Sequence, residues 1–406
     1  MQKMWQGDAP AQAAPGTMTL LQNPPLALYA HFPWCVRKCP YCDFNSFTLH
    51  GALAEDAYVA ALRADLAAQA HEVRGREVIS IFLGGGTPSL FSPRAIGEVL
   101  TIAREHLRLA AQLEVTLEAN PGTVERGRFA EYRAAGVTRV SLGAQTFDAQ
   151  RLLALGRIHT PQETRRAAEE LQAAGLENFN LDLMYGLPGQ DTAGAIEDIE
   201  AALSLAPAHV SHYQLTLEPG TPFAARPPTL PEEEQIERML RACGERLAAG
   251  GLEQYEVSAY ARPGRQCRHN RNYWRFGDYL GIGAGAHGKR TDAQSGQVLR
   301  SAQPREPRRY LAAAARAVAE WRSVPAEQLP FEFMLNALRL CSGFEPDLFS
   351  RRTGLPWTAV AEPLQQLIAR GLLESDGRRY RASPLGWRFL NELLLRFLPE
   401  SSKSAE

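Results

Sequence analysis

The sequence predicts an α/β fold: a partial, open (β/α)6 TIM-like barrel followed by a C-terminal, mostly helical, winged-helix-like domain. Three observations carry this expectation. Six short runs of near-continuous apolar character recur along the first half of the chain, as strands covered on both faces do. Amphipathic stretches of helical period separate them. After about residue 225 the alternation stops, and from about Glu327 the pattern is mostly helical.

The strand candidates are LALYAHF from Leu26, VISIFLGGG from Val78, LEVTLEANP from Leu113, RVSLGAQ from Arg139, NFNLDLMYG from Asn178 and HVSHYQLTLEPG from His209. Strands and helices in strict alternation imply a parallel sheet with right-handed crossovers. Six units fall short of the eight that close a (β/α)8 ring, so the barrel is expected to stay open. The helix PQETRRAAEELQAAG opens after Thr160 with Pro161 in its first turn and stops near Gly175. PPTLPEEEQ starts another that runs to about Ala249. The segment from Cys267 to His287 is rich in Gly, aromatics and His and reads as a structured loop region. Near the C-terminus, DLFSRRTGLPWTAVAEPLQQLIARGLLESDGRRYRASPLGWRFL reads helix, turn, helix, short hairpin, helix, the order of a winged helix. In nucleic-acid binders such a unit sets a basic helix in the major groove. Here WTAVAEPLQQLIARG has one Arg and one Glu, so a packing role is expected. The resulting division is a disordered lead-in (1–24), a barrel core (25–250), a connecting region (251–325), a helical domain (326–398) and a disordered tail (399–406).

Composition narrows the function classes. The chain has 406 residues, 45% hydrophobic and 22% charged, with a formal net charge of -1. That balance gives no whole-chain attraction for nucleic acid. No apolar run approaches the ~20 residues of a membrane span, and the N-terminus has no signal-type apolar core. A cytoplasmic protein is expected. Of six cysteines, three fall between Cys35 and Cys42. A disulfide framework suits a small secreted chain, whereas a tight trio points to metal. Cys243 and Cys341 lie in helical patterns and are expected to be buried as apolar residues.

The trio is Cys35-Val-Arg-Lys-Cys39-Pro-Tyr-Cys42, directly after the first strand, where the functional loops of barrels lie. Thiolates are the usual ligands of Fe–S clusters. Three cysteines serve three irons of a four-iron cluster and leave the fourth for a small molecule. A closed Cys3His zinc site, with His31 or His50 as fourth ligand, is the alternative. Arg37 and Lys38 would favour thiolate over thiol. Gly84-Gly85-Gly86-Thr87-Pro88 ends the second strand, and glycines there let backbone approach a ligand closely. Glu118, Gln145 and Asp182 are polar residues in apolar strands, expensive to bury unless partnered. They either satisfy one another across the barrel or bind a ligand. Arg157 can grip a carboxylate through two parallel bonds.

CxxxCxxC after the first strand of a partial barrel, with Tyr41 before the last cysteine, resembles the radical S-adenosylmethionine (SAM) superfamily. From Tyr29 onward the chain resembles the oxygen-independent coproporphyrinogen III oxidase group within it. The resemblance implies a [4Fe–4S] cluster on Cys35, Cys39 and Cys42, with SAM at the open iron. It implies SAM contacts from Tyr29, Gly85, Gly86, Thr87, Glu118, Gln145, Arg157 and Asp182. Two features resemble the heme-chaperone members of the group. Phe44 stands where the oxidases have a further cysteine, and only a short stretch precedes Tyr29 where they have a longer segment. HNxxYW, from His269 to Trp274, is similar to the motif proposed for heme contact in those members. It implies His269 as an axial ligand, Tyr273 and Trp274 as flat apolar surface, and Arg268 or Arg271 for propionates. Cys267 and His287 are rival ligands. The expected function is a heme chaperone that delivers heme to apo-cytochromes or other hemoproteins, with a peripheral place at the membrane surface and no transmembrane segment. The alternative is a coproporphyrinogen III dehydrogenase that performs a radical SAM oxidative decarboxylation.

Overall fold

A computed structural model of the chain describes residues 21–122, 127–313 and 320–399. Its centre is one long sheet. The strands are β1 (Leu26–Phe32), β2 (Glu77–Gly85), β3 (Arg108–Ala119), β4 (Arg139–Gln145), β5 (Phe179–Tyr185) and β6 (His209–Gln214). The connecting region then adds β7 (Glu253–Glu256), β8 (Ala259–Ala261), β9 (Asp278–Ile282), β10 (His287–Asp292), β11 (Gln297–Ala302) and β12 (Arg322–Ser323). Their order across the sheet is β12-β11-β10-β9-β1-β2-β3-β4-β5-β6-β8-β7. From β1 to β6 each strand pairs in parallel with the next, the arrangement expected of serial β/α units. The burial of β1 and β5 is nearly complete and that of β4 is complete, so their continuous apolar runs are two-sided strands.

The helices between the strands are α1 (Glu55–Ala70), α2 (Pro93–His106), α3 (Phe129–Ala135), α4 (Pro161–Ala173), α5 (Thr192–Ser204) and α6 (Glu233–Ala249). Their starts follow from local chemistry. Ser92 accepts from the Ala95 N–H ahead of α2, with Pro93 in the first turn. Thr160 and Glu163 form a reciprocal capping box on α4. Asp191 accepts from the Gly194 N–H on α5. The main core lies between these helices and the parallel strands.

Two expectations are corrected here. The segment from Cys267 to His287 is no loop but a helix, Arg268–Trp274, followed by β9, and the connecting region around it supplies strands to both edges of the sheet. β9 pairs in parallel with β1, from Leu26 opposite Asp278 to Ala30 opposite Ile282. β10, β11 and β12 continue antiparallel from it, while β8 and β7 extend the other edge antiparallel from β6. These strands are short and carry Gly281 and Gly288, which hid their period. A Cβ at Gly281 would stand 1.9 Å from the His287 carbonyl oxygen, so only glycine lets β9 and β10 approach. Of the lead-in expected to be disordered, residues 21–24 are described and are ordered. Leu21 is buried, and the Gln22 N–H donates to the Arg351 carbonyl at 2.8 Å. Residues 1–20 and 400–406 lie outside the described residues.

The C-terminal domain follows the winged-helix order. It comprises α7 (Arg268–Trp274) as its docking partner from the connecting region, then α8 (Leu329–Ala337), α9 (Pro346–Thr353), α10 (Thr358–Ala369) and the hairpin β13 (Leu373–Ser375) with β14 (Tyr380–Ala382). Two further short helices close it, Pro384–Arg388 and Leu390–Leu394. Its core also takes in Leu21, Phe276 and Val298, so it is sealed onto the connecting region. No helix among the described residues is long and apolar enough to cross a membrane.

Candidate functional site

The carboxyl ends of β1–β6 open onto a cavity of about 430 Å³. Cys35, Cys39 and Cys42 form one side of it, and Gly85, Gly86, Thr87, Glu118, Gln145, Arg157 and Asp182 line the rest. The sequence reading thus brings ten of its residues to one place. Tyr29 and His269 are not among them.

The cysteine loop is held by its own backbone and by distant strands. The Lys38 ammonium donates to the Phe44 and Ser46 carbonyls at 3.0 Å each, closing the loop, while the exposed Arg37 lies at the rim of the cavity. Asn45 donates to the Ala284 and Arg305 carbonyls at 2.9 Å each. Burial pushes the Cys35 and Cys42 thiols up, so cation or metal must supply what their thiolates need. Lys38 acts on Cys42 in that sense, and the Arg157 guanidinium lies 3.7 Å from the Cys39 sulfur. Among the described residues no group of three His, Cys, Asp or Glu converges on a single-ion point. His31 is also spent, with Nδ1 bonded to the Tyr29 hydroxyl and Nε2 to the Asn45 carbonyl, both at 2.9 Å. His31 is therefore taken, which removes one of the two histidines that a closed zinc site would use.

The glycine loop is stapled to the end of β1. The Gly86 N–H donates to the Phe32 carbonyl at 2.7 Å and the Thr87 N–H to the Trp34 carbonyl at 2.8 Å. A Cβ on Gly86 would meet the Trp34 oxygen at 2.6 Å, so the close approach demands glycine. Gly85 has φ of 116° and aims its N–H at Glu118 Oε2, 2.9 Å away.

Glu118 and Asp182 face the cavity with little positive charge to match. Burial raises the Glu118 carboxyl to about 8; the Gly85 N–H opposes this and the Asp182 charge adds to it. Burial likewise raises Asp182, against hydrogen bonds from Asn180 (2.8 Å) and Ser141 (3.1 Å). Two carboxyls starved of solvent and open on one side fit a cationic ligand, as the ammonium or sulfonium of SAM is. Gln145 carries a further mark. It sits at φ 68°, uncommon for a residue with a side chain, and its Oε1 accepts from Tyr213 at 2.9 Å. Arg157 is bound on its other side by Asn120 and by the Gly143 carbonyl at 2.9 Å.

Sequence reasoning missed Asn120 and Tyr213. Asn120 links Thr87, through a 2.8 Å hydrogen bond, to Arg157 and so joins the glycine loop to the cysteine loop. Its signal was its place, two residues beyond Glu118 at a strand end. Tyr213 shares that signal at the end of β6.

A second cavity, about 380 Å³, adjoins the first and shares Asp43, Phe44, Gly85 and Glu118 with it. Tyr29 lies here, with Tyr273, Tyr279, His287 and Arg305. HNxxYW reaches this cavity through Tyr273. It forms α7, which turns His269 inward to 1% exposure. Its Nδ1 meets Ser80 Oγ at 3.1 Å and its Nε2 the Tyr273 hydroxyl at 2.9 Å, so neither nitrogen is left for a metal. Burial holds its imidazole down at about 3. Cys267 is equally enclosed, 3.7 Å from Glu114, with burial pushing the thiol up to about 12. Trp274 packs under the Arg339 guanidinium at 4.3 Å, and Arg268 is tied to the Gln112 carbonyl. His287 is the histidine that stays exposed at this cavity, and burial with Arg300 and Arg305 keeps it neutral by lowering its pKa.

Known proteins agree with this geometry. Residues 29–206 match the family model of the radical SAM superfamily, and residues 324–389 match that of the HemN C-terminal domain. The heme chaperone HemW of Escherichia coli is 48% identical over 94% of this chain and 100% of its own length. That of Haemophilus influenzae is 43% identical over 93% and 99%. The mitochondrial radical S-adenosyl methionine domain-containing protein 1 of Bos taurus is 35% identical over 96% and 89%. The solved coproporphyrinogen III oxidase HemN of Escherichia coli shares the fold, with a TM-score of 0.77 over 92% of this chain and 90% of that one, at 21% identity. A relative at 48% identity over its whole length, on a barrel whose strand ends gather three cysteines and two buried carboxyls, leaves one assignment: the chain belongs to the HemW family of the radical SAM superfamily.

Proposed function

We propose that this protein is a heme chaperone that holds a [4Fe–4S] cluster on Cys35, Cys39 and Cys42, binds SAM at the barrel mouth, and carries heme to apo-cytochromes or other hemoproteins. The observation that carries the reading is the 430 Å³ cavity, where three thiols face two under-compensated carboxyls across a glycine loop. When bound, the cluster supplies an iron with an open position and, once reduced, an electron. The chain does the rest. Gly85, Gly86 and Thr87 present backbone to the methionine end of SAM. Glu118 and Asp182 offset its positive charge. Gln145 hydrogen-bonds it, and Arg157 leans over Cys39 to pair with its carboxylate.

Heme would lie in the adjoining cavity as cargo. His287 offers a neutral imidazole there, and Tyr273, Tyr279 and the 61% exposed Phe44 offer flat apolar surface. The contact between heme and the SAM cavity then runs through Phe44, Gly85 and Glu118. Phe44 also disfavours the dehydrogenase alternative, which the resemblance associates with a cysteine at that position.

The test is anaerobic reconstitution followed by heme titration. Wild type should hold about four irons on three thiolates, and Cys39→Ala should hold none while Cys243→Ala keeps them all. Heme should give a Soret band that shifts in His287→Ala and stays put in His269→Ala. Turnover of coproporphyrinogen III, or cluster retention in Cys39→Ala, would overturn the reading.

A further inference from the structure

A third cavity lies on the other side of α7, between it and the C-terminal domain. It has about 210 Å³ and is lined by Arg271, Arg275, Arg351 and Arg379, with Glu345 as the acidic side chain among them. Four guanidiniums around one small space repel one another, and the carboxylates nearby are already taken. Glu345 pairs with Arg379 at 3.0 Å, and Asp347 pairs with Arg351 at 2.9 Å along α9. Among the described residues Arg271 and Arg275 have no side-chain hydrogen bond or ion pair. They stand one helical turn apart, where like charges destabilise a helix. Burial holds the Arg275 guanidinium down, and Arg271 and Arg379 add to the effect against Glu345. Arg352, next along α9, is pushed down to about 10 by burial and, in part, by Arg351, Arg275 and Arg76, against Asp278.

We propose that this cavity is a binding site for a multiply charged oxyanion of the phosphoryl class, gripped by Arg271 and Arg275 from α7 and by Arg351 and Arg379 from the C-terminal domain. Planar guanidinium forks match phosphate oxygens two at a time. A group bearing two or more negative charges would bring the site to balance, whereas a lone chloride would not. The volume suits a phosphate or diphosphate, not an extended chain. The anion would join the connecting region to the C-terminal domain at a point where the protein's own charges push them apart. The site is separate from the barrel mouth and does not depend on heme binding.

The experiment uses the full chain at low ionic strength. Inorganic phosphate and pyrophosphate are titrated by calorimetry and by thermal shift into wild type, Arg271→Gln, Arg275→Gln and the exposed control Arg238→Gln. In parallel, the same proteins are sedimented with phosphatidic acid or phosphatidylcholine vesicles. Saturable pyrophosphate binding, weakened about tenfold or more in Arg271→Gln and Arg275→Gln but not in Arg238→Gln, supports a soluble phosphoryl ligand. Arginine-dependent sedimentation with phosphatidic acid alone supports the same group, a phosphomonoester, on a lipid head. Without added anion, Arg275→Gln should melt no lower than wild type, because it relieves repulsion. No arginine-dependent binding in either arm, or a marked loss of stability in Arg275→Gln without anion, would overturn the proposal.

Discussion

Glu118 shares the cavity wall with Asp182, and Arg139 is the buried guanidinium that offsets them from below. This has a consequence for stability that can be signed. Glu118 is raised from an ordinary 4.5 to about 8, so the folded chain holds a proton there that the unfolded chain has released. The associated stability is complete below pH 4.5 and is lost as pH rises through about 8. Wild type should therefore melt at a lower temperature at pH 8.5 than at pH 6, by a margin that Glu118→Gln reduces. Equal pH slopes for the two proteins would show that the carboxyl is ionised throughout. Saturating SAM should shrink the wild-type margin, because a cation stabilises the ionised form. Much of this site was legible at the level of single residues. Cysteines at tight spacing, a glycine triplet and acids inside apolar strands are each costly unless they serve something. Asn120 and Tyr213 carry no such cost signal, since Asn and Tyr are common at strand ends. The inward turn of His269 was not legible, because HNRNYW reads the same whether α7 faces solvent or the barrel wall. What decides is the tertiary contact with Ser80 and Phe82, which no local pattern encodes.

Among the elements, the pairing of β9 with β1 does most to shape the site. It turns the segment Gly283–Ala286 back toward the cysteine loop. There the Gly283 N–H reaches Asp65 at 3.1 Å, and the Ala284 N–H and the His31 carbonyl both engage the Tyr58 hydroxyl, at 3.0 and 2.7 Å. Gly281→Ala should force β9 from β10, because the new methyl has no room before the His287 carbonyl. We expect a loss of about 1–3 kcal/mol in urea unfolding, the usual cost of overpacking. An unchanged midpoint would mean that the hairpin relaxes freely. The parallel strands β1–β6 were readable because two-sided burial leaves an apolar run that survives in the sequence. β9 to β12 were not. The parallel partner of β9 lies about 250 residues upstream, Leu26 opposite Asp278, the residues of these strands include Lys289, which is buried against Asp278 at 2.8 Å, and their glycines answer to backbone crowding. A strand held by a buried ion pair does not look apolar.

At the scale of the whole molecule, barrel and C-terminal domain share one seam. Phe276 meets Phe333 edge to face at 5.7 Å, and Arg300 bonds Glu332 at 2.6 Å and the Tyr279 hydroxyl at 2.7 Å. Deleting residues 326–406 would bare Phe276 and Val298 and strand Arg300 without its acid. The shortened chain should aggregate or lose its single cooperative unfolding transition. A soluble, cluster-binding product from that deletion would show that the barrel is autonomous. The winged-helix order was legible from its turns, but its attachment was not, because Leu21, Phe276 and Val298 come from three distant stretches. The same long-range wiring sets an order of events during synthesis. The cysteine loop is made early, yet Asn45 within it is held by the Ala284 carbonyl, 239 residues along the chain. Contacts that remote form late, after the entropy of closing the intervening loop has been met. The nascent chain thus leaves the ribosome with its three thiols unsupported for most of its translation. On the proposed function, iron delivered in that interval would meet a loop still without its contact to Ala284, which forms only once β9 has come home beside β1.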